Sequence, residues 1–389
     1  MTELVVAALA FAIWVYLLLL RGGFWRAAER DDDIDGAAFT PAVWPRVVVV
    51  VPARNEAEVI GTAVASLARQ DYAGVFDIVV VDDHSTDGTG VVARDAARAA
   101  HAAERVQVLS APDLAEGWTG KLWAVNCGAT FAETLPAPPD YLLFSDADIA
   151  HEPGALTALV RRAQRDELVL TSLMAKLRCE SFAERALIPA FIYFFRMLYP
   201  FEWVNRPDLA MAAAAGGCML VRRDALRAAG GFAAVRRELI DDCALARLLK
   251  PHGRIWLGLT DRARSLRAFR CVGDIRRMVS RSAYAQLRYS PWILLGTVAA
   301  LAVTCLAPPL LALGGSGLAR WLAAAAWALM ALSLQPTLRF YRVSPWWGPA
   351  LPVIAGAYLG FTLDSAWQHW RGRGGMWKGR AHVPATGRR

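Results

Sequence analysis

The sequence predicts an α/β fold, an open doubly wound sheet, attached to a membrane through apolar helices at both ends. Three observations predict it. Val47–Val51 and Ile78–Val81 are unbroken β-branched runs, the pattern of parallel strands buried on both faces. A stretch of helical spacing, with Val59, Ala63 and Leu67 on one face, lies between them. Leu4–Leu20 is apolar and uncharged, long enough to span a hydrocarbon core of about 30 Å.

A chain of 389 residues suits one large domain with attachments. It is 56% hydrophobic, with a mean hydropathy of +0.30, which is high for a soluble enzyme. The formal charge of +8 sits largely beside apolar segments, which favours anionic lipid or an anionic substrate and weighs against nucleic acid. The six cysteines form no CxxC pair and no metal-ligand spacing, so they read as reduced thiols. That fits a catalytic domain on the cytosolic side.

Residues 1–22 read as an uncleaved transmembrane anchor. A signal peptide is the alternative, but there is no basic n-region and Arg21-Gly22-Gly23 is a poor cleavage site. Glu3 precedes the span while Arg21, Arg26 and Arg30 follow it, so the positive-inside rule puts the following chain in the cytoplasm. Localisation is accordingly expected as multi-pass in the cell inner membrane. Residues 23–45 read as a linker, acidic and Pro-bounded from Arg30 to Pro45. Residues 46–290 form the α/β segment: a helix is expected over Glu56–Gln70, and further strands over Val106–Leu109 and Tyr141–Phe144. Ile188–Trp203 is aromatic, with only Arg196 and Glu202 charged. It reads equally as an interfacial helix, with Tyr193, Phe194 and Phe195 forming the floor of an acceptor path, or as a core helix. Residues 291–370 hold three apolar stretches, Trp292–Leu313, Leu318–Leu334 and Trp346–Leu363. Three full spans would place the basic tail 371–389 (Arg371, Arg373, Lys378, Arg380, Arg388, Arg389) outside, against the positive-inside rule. One stretch is therefore expected to be re-entrant, or a hairpin broken at its prolines.

Paired acids at strand ends carry the chemistry. An acid there loses hydration unless a metal or polar ligand compensates it, and the carboxyl edge of a sheet is where ligands bind. Pro52-Ala53-Arg54-Asn55-Glu56 ends the first strand and can line a nucleotide pocket; the plain alternative is a connection capped by Asn55. In Val81-Asp82-Asp83-His84-Ser85-Thr86-Asp87-Gly88-Thr89 one carboxylate can accept the imide N–H of uracil, while Ser85 or Asp87 caps the next helix. His84 reads as a hydrogen-bonded polar residue rather than a ligand. Asp146-Ala147-Asp148 follows a hydrophobic strand, and both acids can reach Mg²⁺ or Mn²⁺, hard cations that take few carboxylates plus phosphate oxygens. Asp241-Asp242 opens a helical stretch downstream of Gly216-Gly217-Cys218-Met219-Leu220. One of the two is a candidate general base, favoured by its like-charged neighbour, and the alternative is a pair of acids stabilising a helix start. Of the arginines at 262, 264, 267, 270, 276, 277, 281 and 288, one or two can clamp a diphosphate, and the rest form a basic surface towards the membrane.

In this order the motifs resemble family 2 glycosyltransferases of the GT-A fold, a Rossmann-like nucleotide-diphospho-sugar transferase domain, over roughly Arg46 to Tyr289. The resemblance implies a nucleotide-diphospho-sugar donor, expected to be a UDP-sugar, with Asp83 on the uracil, Asp146 on the ribose, Asp148 on the metal and Asp242 as base. Pro52, Arg54, Glu56 and Gly217 would line the donor site, with Asp146 beside the metal and Asp241 beside the base. The family's Q-x-x-R-W motif is matched only by Gln286-Leu287-Arg288-Tyr289, one residue short and with Tyr for Trp, a mismatch that weighs more on Gln286 than on Arg288. Lys121 or Arg288 would steady the departing diphosphate. Three further strings, Gly117-Trp118-Thr119-Gly120-Lys121-Leu122-Trp123-Ala124, Lys176–Ala186 and Gly253–Gly258, are similar to the hopene-associated glycosyltransferases. That narrower likeness implies a triterpenoid or related lipid acceptor in the membrane. A polyprenyl-phosphate acceptor is the first rival, and a catalytically silent membrane scaffold the second.

Overall fold

The computed structural model describes residues 1–32 and 39–373. Part of the expected linker, and Lys378, Arg380, Arg388 and Arg389 of the expected basic tail, lie outside the described residues. The chain forms two compact units. One holds Glu29–Leu177 and Trp203–Arg267; the other holds Met1–Ala28, Arg178–Glu202 and the described residues from Ala268 onward.

The first unit is built on eight strands: β1 Val47–Ala53, β2 Phe76–Asp82, β3 Val106–Ser110, β4 Tyr141–Ser145, β5 Ile149–His151, β6 Leu168–Lys176, β7 Cys218–Arg222 and β8 Arg254–Ser265. Their order in the sheet is β3-β2-β1-β4-β7-β6-β8-β5. Every residue of β1 and β4 is buried, as expected of central strands covered on both faces. Helices Ile60–Ala68, Thr89–Ala99, Gly120–Glu133 and Ala155–Arg165 supply the cover. The core joins Val49, Ile78 and Leu143 of the sheet to Val64, Leu67 and Leu159 of the helices.

The sheet is mixed rather than wholly parallel. β3, β2, β1 and β4 are parallel, but β7 runs antiparallel to β4 and to β6, and β5 antiparallel to β8. The chain leaves β6 at its carboxyl end and re-enters beside it at the same edge, so β7 has to run back. Ala53 is level with Asp82, and Ser145 with Cys218, so the exits of β1, β2 and β4 and the start of β7 share one edge. β1 includes Pro52, which has no N–H to give; β4 pairs with β1 only as far as Val50, so none is required there.

The expected helix over Glu56–Gln70 begins only at Ile60. Glu56 and Ala57 are held in a turn by side chains of the β2 exit, described below, and that competes with helix formation.

The second unit is helical. Thr2–Leu20, Pro291–Gly314 and Gly317–Tyr341 are long and apolar enough to cross a membrane. Pro308 and Pro309 do not split the second of these into a hairpin. Instead Ala302–Leu306 winds as one π turn between Pro291–Leu301 and Ala307–Gly314. Pro308 cannot donate to the Thr304 carbonyl four residues back, and the Trp14 indole Nε1 donates to it at 2.8 Å instead. The last helix, Leu351–Trp370, is not among the candidate spans. It carries Asp364, which accepts from Ser280 Oγ and Gln368 Nε2 at 2.8 Å each and pairs with Arg276 at 3.7 Å.

Helix Phe182–Leu198 follows the core reading of the aromatic segment. Tyr193 is fully buried, its hydroxyl 2.6 Å from Ser333 Oγ, and Arg196 Nη1 donates to Thr337 Oγ1 at 3.2 Å. Phe194 packs on Tyr358, with ring centroids 5.3 Å apart. Tyr193 is thus enclosed by protein, while Phe194 and Phe195 stay half-buried. Its start is a capping box: Ser181 Oγ accepts from Glu184 N, and Glu184 Oε2 accepts from Ser181 N and Glu180 N at 2.8 Å. Glu184 Oε1 also accepts from Phe269 N at 2.7 Å. Replacing Glu184 with Ala orphans three N–H donors around a buried position and should cost roughly 3 kcal/mol; a clear drop in the melting temperature of the detergent-solubilised protein is expected, and Glu184→Gln should lose less.

Candidate active site

The edge is floored by two turns laced together. Asn55 N donates to Ser85 Oγ (2.9 Å), Thr86 N to Asn55 Oδ1 (2.8 Å), Glu56 N to Thr89 Oγ1 (2.8 Å) and Ala57 N to Asp87 Oδ2 (3.0 Å). Asn55 and His84 take left-handed φ values of +50° and +55°, which such side-chain bonds hold in place. Asn55 is therefore a brace between turns rather than a helix cap, and Ser85 binds Asn55 rather than the next helix. Asp87 does serve the helix start: its Oδ1 accepts from Thr89 N at 3.0 Å. Burial pushes the Asp87 carboxyl up, but bonds from Thr89 and Ala57 outweigh it and hold it below the usual range. Arg54 Nη1 donates to the Asp83 carbonyl at 2.5 Å and lies 3.6 Å from the wholly buried Asp83 carboxylate.

Above this floor the acids gather around one lysine. Thr119 caps helix Gly120–Glu133, and Lys121 in its first turn reaches Asp146 Oδ1 at 2.9 Å and Asp241 Oδ2 at 3.5 Å. Asp241 and Asp242 open helix Asp241–Leu249. Asp242 Oδ2 accepts from Gly216 N at 2.9 Å and Oδ1 from Cys243 N at 2.7 Å. A Cβ on Gly216 would lie 3.3 Å from Lys121 Nζ and 3.4 Å from Asp242 Oδ2, so glycine lets the backbone meet the charged groups. Gly217 contributes its carbonyl, which accepts from Asp146 N at 3.3 Å.

The electrostatics follow from this crowding. Burial, then the neighbouring Asp241, pushes the Asp242 carboxyl up to about 6, against the pull of Lys121 and its two N–H donors. Asp146 is raised by burial, with Lys121 opposing and Asp148 adding to the rise. Burial alone would lower Lys121, but Asp146, Asp241 and Asp242 outweigh it and keep the ammonium charged.

A second cation joins the other acids. Arg267 Nε donates to Asp148 Oδ2 at 2.8 Å, and its Nη2 to Glu56 Oε1 and Oε2 at 2.8 and 3.0 Å. Behind the turn, the buried His151 shares a hydrogen bond of 2.9 Å with Ser145 Oγ. Burial depresses its imidazole to about 4, so it is neutral and fixes Ser145 from below.

Pro52, Lys121, Ser145, Asp146, Gly216 and Asp241 line one cleft, with Leu122, Val125, Phe144, Met219, Phe232 and Leu245 as its apolar wall. Of the residues singled out in the sequence, Asp242 and Gly217 adjoin this cleft, Glu56 and Asp148 share Arg267, and Arg54 and Asp83 lie in the floor. Arg288 belongs to the helical unit, at φ +54°, and Gln286 there donates to the Tyr199 hydroxyl at 2.6 Å. Sequence reasoning passed over Arg267, Gly216 and the Ser145–His151 pair. Arg267 was one arginine in a run of eight, and nothing local marked the other three.

Among the described residues no group of three or more His, Cys, Asp or Glu is arranged to hold a metal by itself. The donor chemistry of Asp146 and Asp148 nevertheless suits a hard divalent cation. They are two carboxylates on one turn, with Asp146 Oδ1 on Lys121 and Asp148 Oδ2 on Arg267, and hard cations complete their shells with phosphate oxygens and water. Five carboxylates (Glu56, Asp146, Asp148, Asp241, Asp242) gather at this edge with Lys121 and Arg267, a concentration of negative charge that a divalent ion would offset.

Comparison with known proteins points the same way. Residues 48–230 match the family described as Glycosyl transferase family 2. The chain is 28% identical over 243 residues to "Probable glycosyltransferase YdaM" of Bacillus subtilis (strain 168), covering 60% of this chain and 53% of that protein. It is 34% identical over 120 residues to "4,4'-diaponeurosporenoate glycosyltransferase" of Staphylococcus aureus (strain MRSA252), covering 30% of this chain and 28% of that protein. The chain thus spans about half the length of one curated relative and less than a third of the other. The mannosyltransferase PcManGT of Pyrobaculum calidifontis, solved with GDP-Man and Mn²⁺, has the same fold at 19% identity, with a TM-score of 0.59 over 94% of this chain and 99% of that one. The fold is GT-A.

Because the folded Asp242 carboxyl titrates near 6 and an unfolded one near 3.8, the native state binds more protons between those values. The contribution of this group to stability therefore falls as pH rises through that window. Wild-type melting temperature should show this decline between pH 4 and 6, and Asp242→Asn should flatten it.

Proposed function

We propose, from the match of residues 48–230 to glycosyl transferase family 2, that this protein is an inverting glycosyltransferase acting at a membrane. It moves a sugar from a nucleotide-diphospho-sugar to a lipid hydroxyl. The observation that carries the reading is the meeting of Lys121, Asp146, Asp241 and Asp242 beside one cleft at the carboxyl edge of the sheet. Burial, with a like-charged neighbour adding to it, holds Asp242 near the pH at which a carboxylate works as a base.

In this reading Asp242 accepts the proton of the acceptor hydroxyl. The oxygen attacks the anomeric carbon from the face opposite the diphosphate. The bond from that carbon to the diphosphate oxygen breaks, and the nucleoside diphosphate leaves with the electron pair. Lys121 is the ammonium nearest these acids and steadies the leaving charge. Asp146 and Asp148 would hold Mg²⁺ or Mn²⁺, which when bound neutralises charge on the diphosphate. Pro52, Glu56 and the Gly217 carbonyl shape the donor side. Asp83 meets a uracil only if Arg54 yields, because its carboxylate is buried beside that guanidinium. Of the two candidates, Lys121 takes the diphosphate role, because it already meets Asp146 and Asp241. The resemblance of Gly117–Ala124, Lys176–Ala186 and Gly253–Gly258 supports an acceptor among hopanoid-type lipids, and a relative named for diaponeurosporenoate is compatible with a lipid acceptor.

For topology we assign three spans, with Leu351–Trp370 left out because of its Asp364. The anchor brings residues 23–290 to the cytoplasmic side by the positive-inside rule, and two C-terminal spans return the chain there after Tyr341. That removes the conflict over the basic tail and makes the protein a multi-pass component of the inner membrane. Incubating membranes with labelled nucleotide-sugars and a hopanoid-containing lipid extract, then weighing the product, tests the reaction as a whole.

Asp148→Ala should abolish metal-stimulated binding of a nucleotide diphosphate. Calorimetry with UDP and Mn²⁺ checks this, and unchanged metal-dependent affinity removes Asp148 from the site. Asp242→Asn should keep donor binding and lose about 10²–10⁴ in transfer rate. A variant within a few-fold of wild type would favour a polyprenyl-phosphate acceptor, which is already ionised and needs no base. In the wild type, kcat/KM should rise with pH through about 6 as Asp242 loses its proton.

A further inference from the structure

Glu56 leaves one strand and Asp148 another, and a single guanidinium joins them. Arg267 Nε donates to Asp148 Oδ2 at 2.8 Å while Nη2 donates to both oxygens of Glu56. The two acids are nearly closed to solvent, with side-chain exposures of 15% and 12%, but the arginine side chain is 40% exposed. Its backbone is pinned, since the adjacent Leu266 N donates to the Asp148 carbonyl at 2.7 Å. The arginine is therefore tethered at the acid while its side chain is partly open to water. Lys121, the counter-ion of Asp146, is less open, at 24% exposure, and serves Asp241 as well. The two acids of one turn thus have counter-ions of different kinds, one shared inside the cluster and one at its surface.

We propose that Arg267 is an exchangeable counter-ion, which competes with a divalent cation for Asp148 and so couples metal binding to nucleotide binding. The inference rests on the reading of Asp148 as a metal ligand. With its guanidinium on Asp148, Arg267 opposes a second positive charge at the same carboxylate, so binding of the metal alone has to overcome two charge-assisted hydrogen-bond sets. A guanidinium fork that lets go of carboxylates is equally suited to two phosphate oxygens. A nucleotide diphosphate therefore gives Arg267 a second partner and lowers the penalty of releasing Asp148. Linkage makes this reciprocal: the factor by which the nucleotide tightens the metal equals the factor by which the metal tightens the nucleotide.

The test uses the full chain in detergent and measures free Mn²⁺ by electron paramagnetic resonance, with and without UDP or GDP. Wild type should bind Mn²⁺ weakly alone and more tightly with the nucleotide. Arg267→Met should bind Mn²⁺ alone on the order of tenfold more tightly than wild type, within the usual range of coupling factors, and its gain on adding nucleotide should be smaller than that of wild type. Equal or weaker binding of Mn²⁺ alone by Arg267→Met overturns the proposal. If that variant shows no melting transition, Arg267→Gln carries the test: it removes the charge and keeps a polar end, and an Mn²⁺ affinity unchanged from wild type overturns the proposal equally. Asp148→Ala separates the two levels. If it binds Mn²⁺ as wild type does, the metal role of Asp148 fails and this inference with it. If it loses Mn²⁺ while Arg267→Met behaves as wild type, only the counter-ion role fails.

Discussion

One ammonium among three carboxylates is the constraint on which the site depends. Lys121 touches Asp146 and Asp241 and lies close enough to Asp242 to pull on its titration. These acids come from the exit of β4 and the first turn of a helix far along the chain, and removing them from water is unfavourable without a cation between them. The mixed sheet makes their meeting possible. β4 delivers Asp146 at its carboxyl end, and β7, running backwards beside it, delivers Gly216 and Gly217 to the same level. The absence of a side chain at Gly216 then lets its N–H reach Asp242 while Lys121 passes alongside.

The floor shows a second use of the same principle. Asn55, Ser85, Asp87 and Thr89 lace the first two turns together, so the backbone stays at the edge of the sheet instead of winding into longer helices. Rigid turns beside a charged cluster are a preorganised setting for a charged ligand, because little has to be ordered when it binds. Arg267, whose side chain is 40% exposed, is the group we propose to change partners in this setting.

Much of this was legible in the sequence. Apolar runs located β1, β2 and β4 to within a residue or two, β1 and β2 by their β-branched residues and β4 by its apolar run ahead of Asp146. Asp146 and Asp241 were named from their neighbours along the chain and Lys121 from the family resemblance, and folding brings them to one cleft. What escaped were the pairings across distance. Nothing in the run of arginines marks 267 as the one that reaches Asp148, and nothing around Gln286-Leu287-Arg288-Tyr289 shows that this string packs with the helical unit. The aromatic segment was ambiguous because burial of Tyr193 and Arg196 depends on Ser333 and Thr337, which lie far away in the chain. The proline-bearing span was misjudged as a possible break because its repair comes from Trp14 on another helix.

The central claim is that a nucleotide-sugar binds at the carboxyl edge of this sheet. Hydrogen–deuterium exchange of the detergent-solubilised protein, with and without UDP- or GDP-sugars in the presence of Mn²⁺, reads it directly. The account predicts slowed exchange in 52–57, 82–89, 145–148 and 214–218 with little change in β3 or β5. Protection confined to other segments, or none with any donor at saturating concentration, would contradict it.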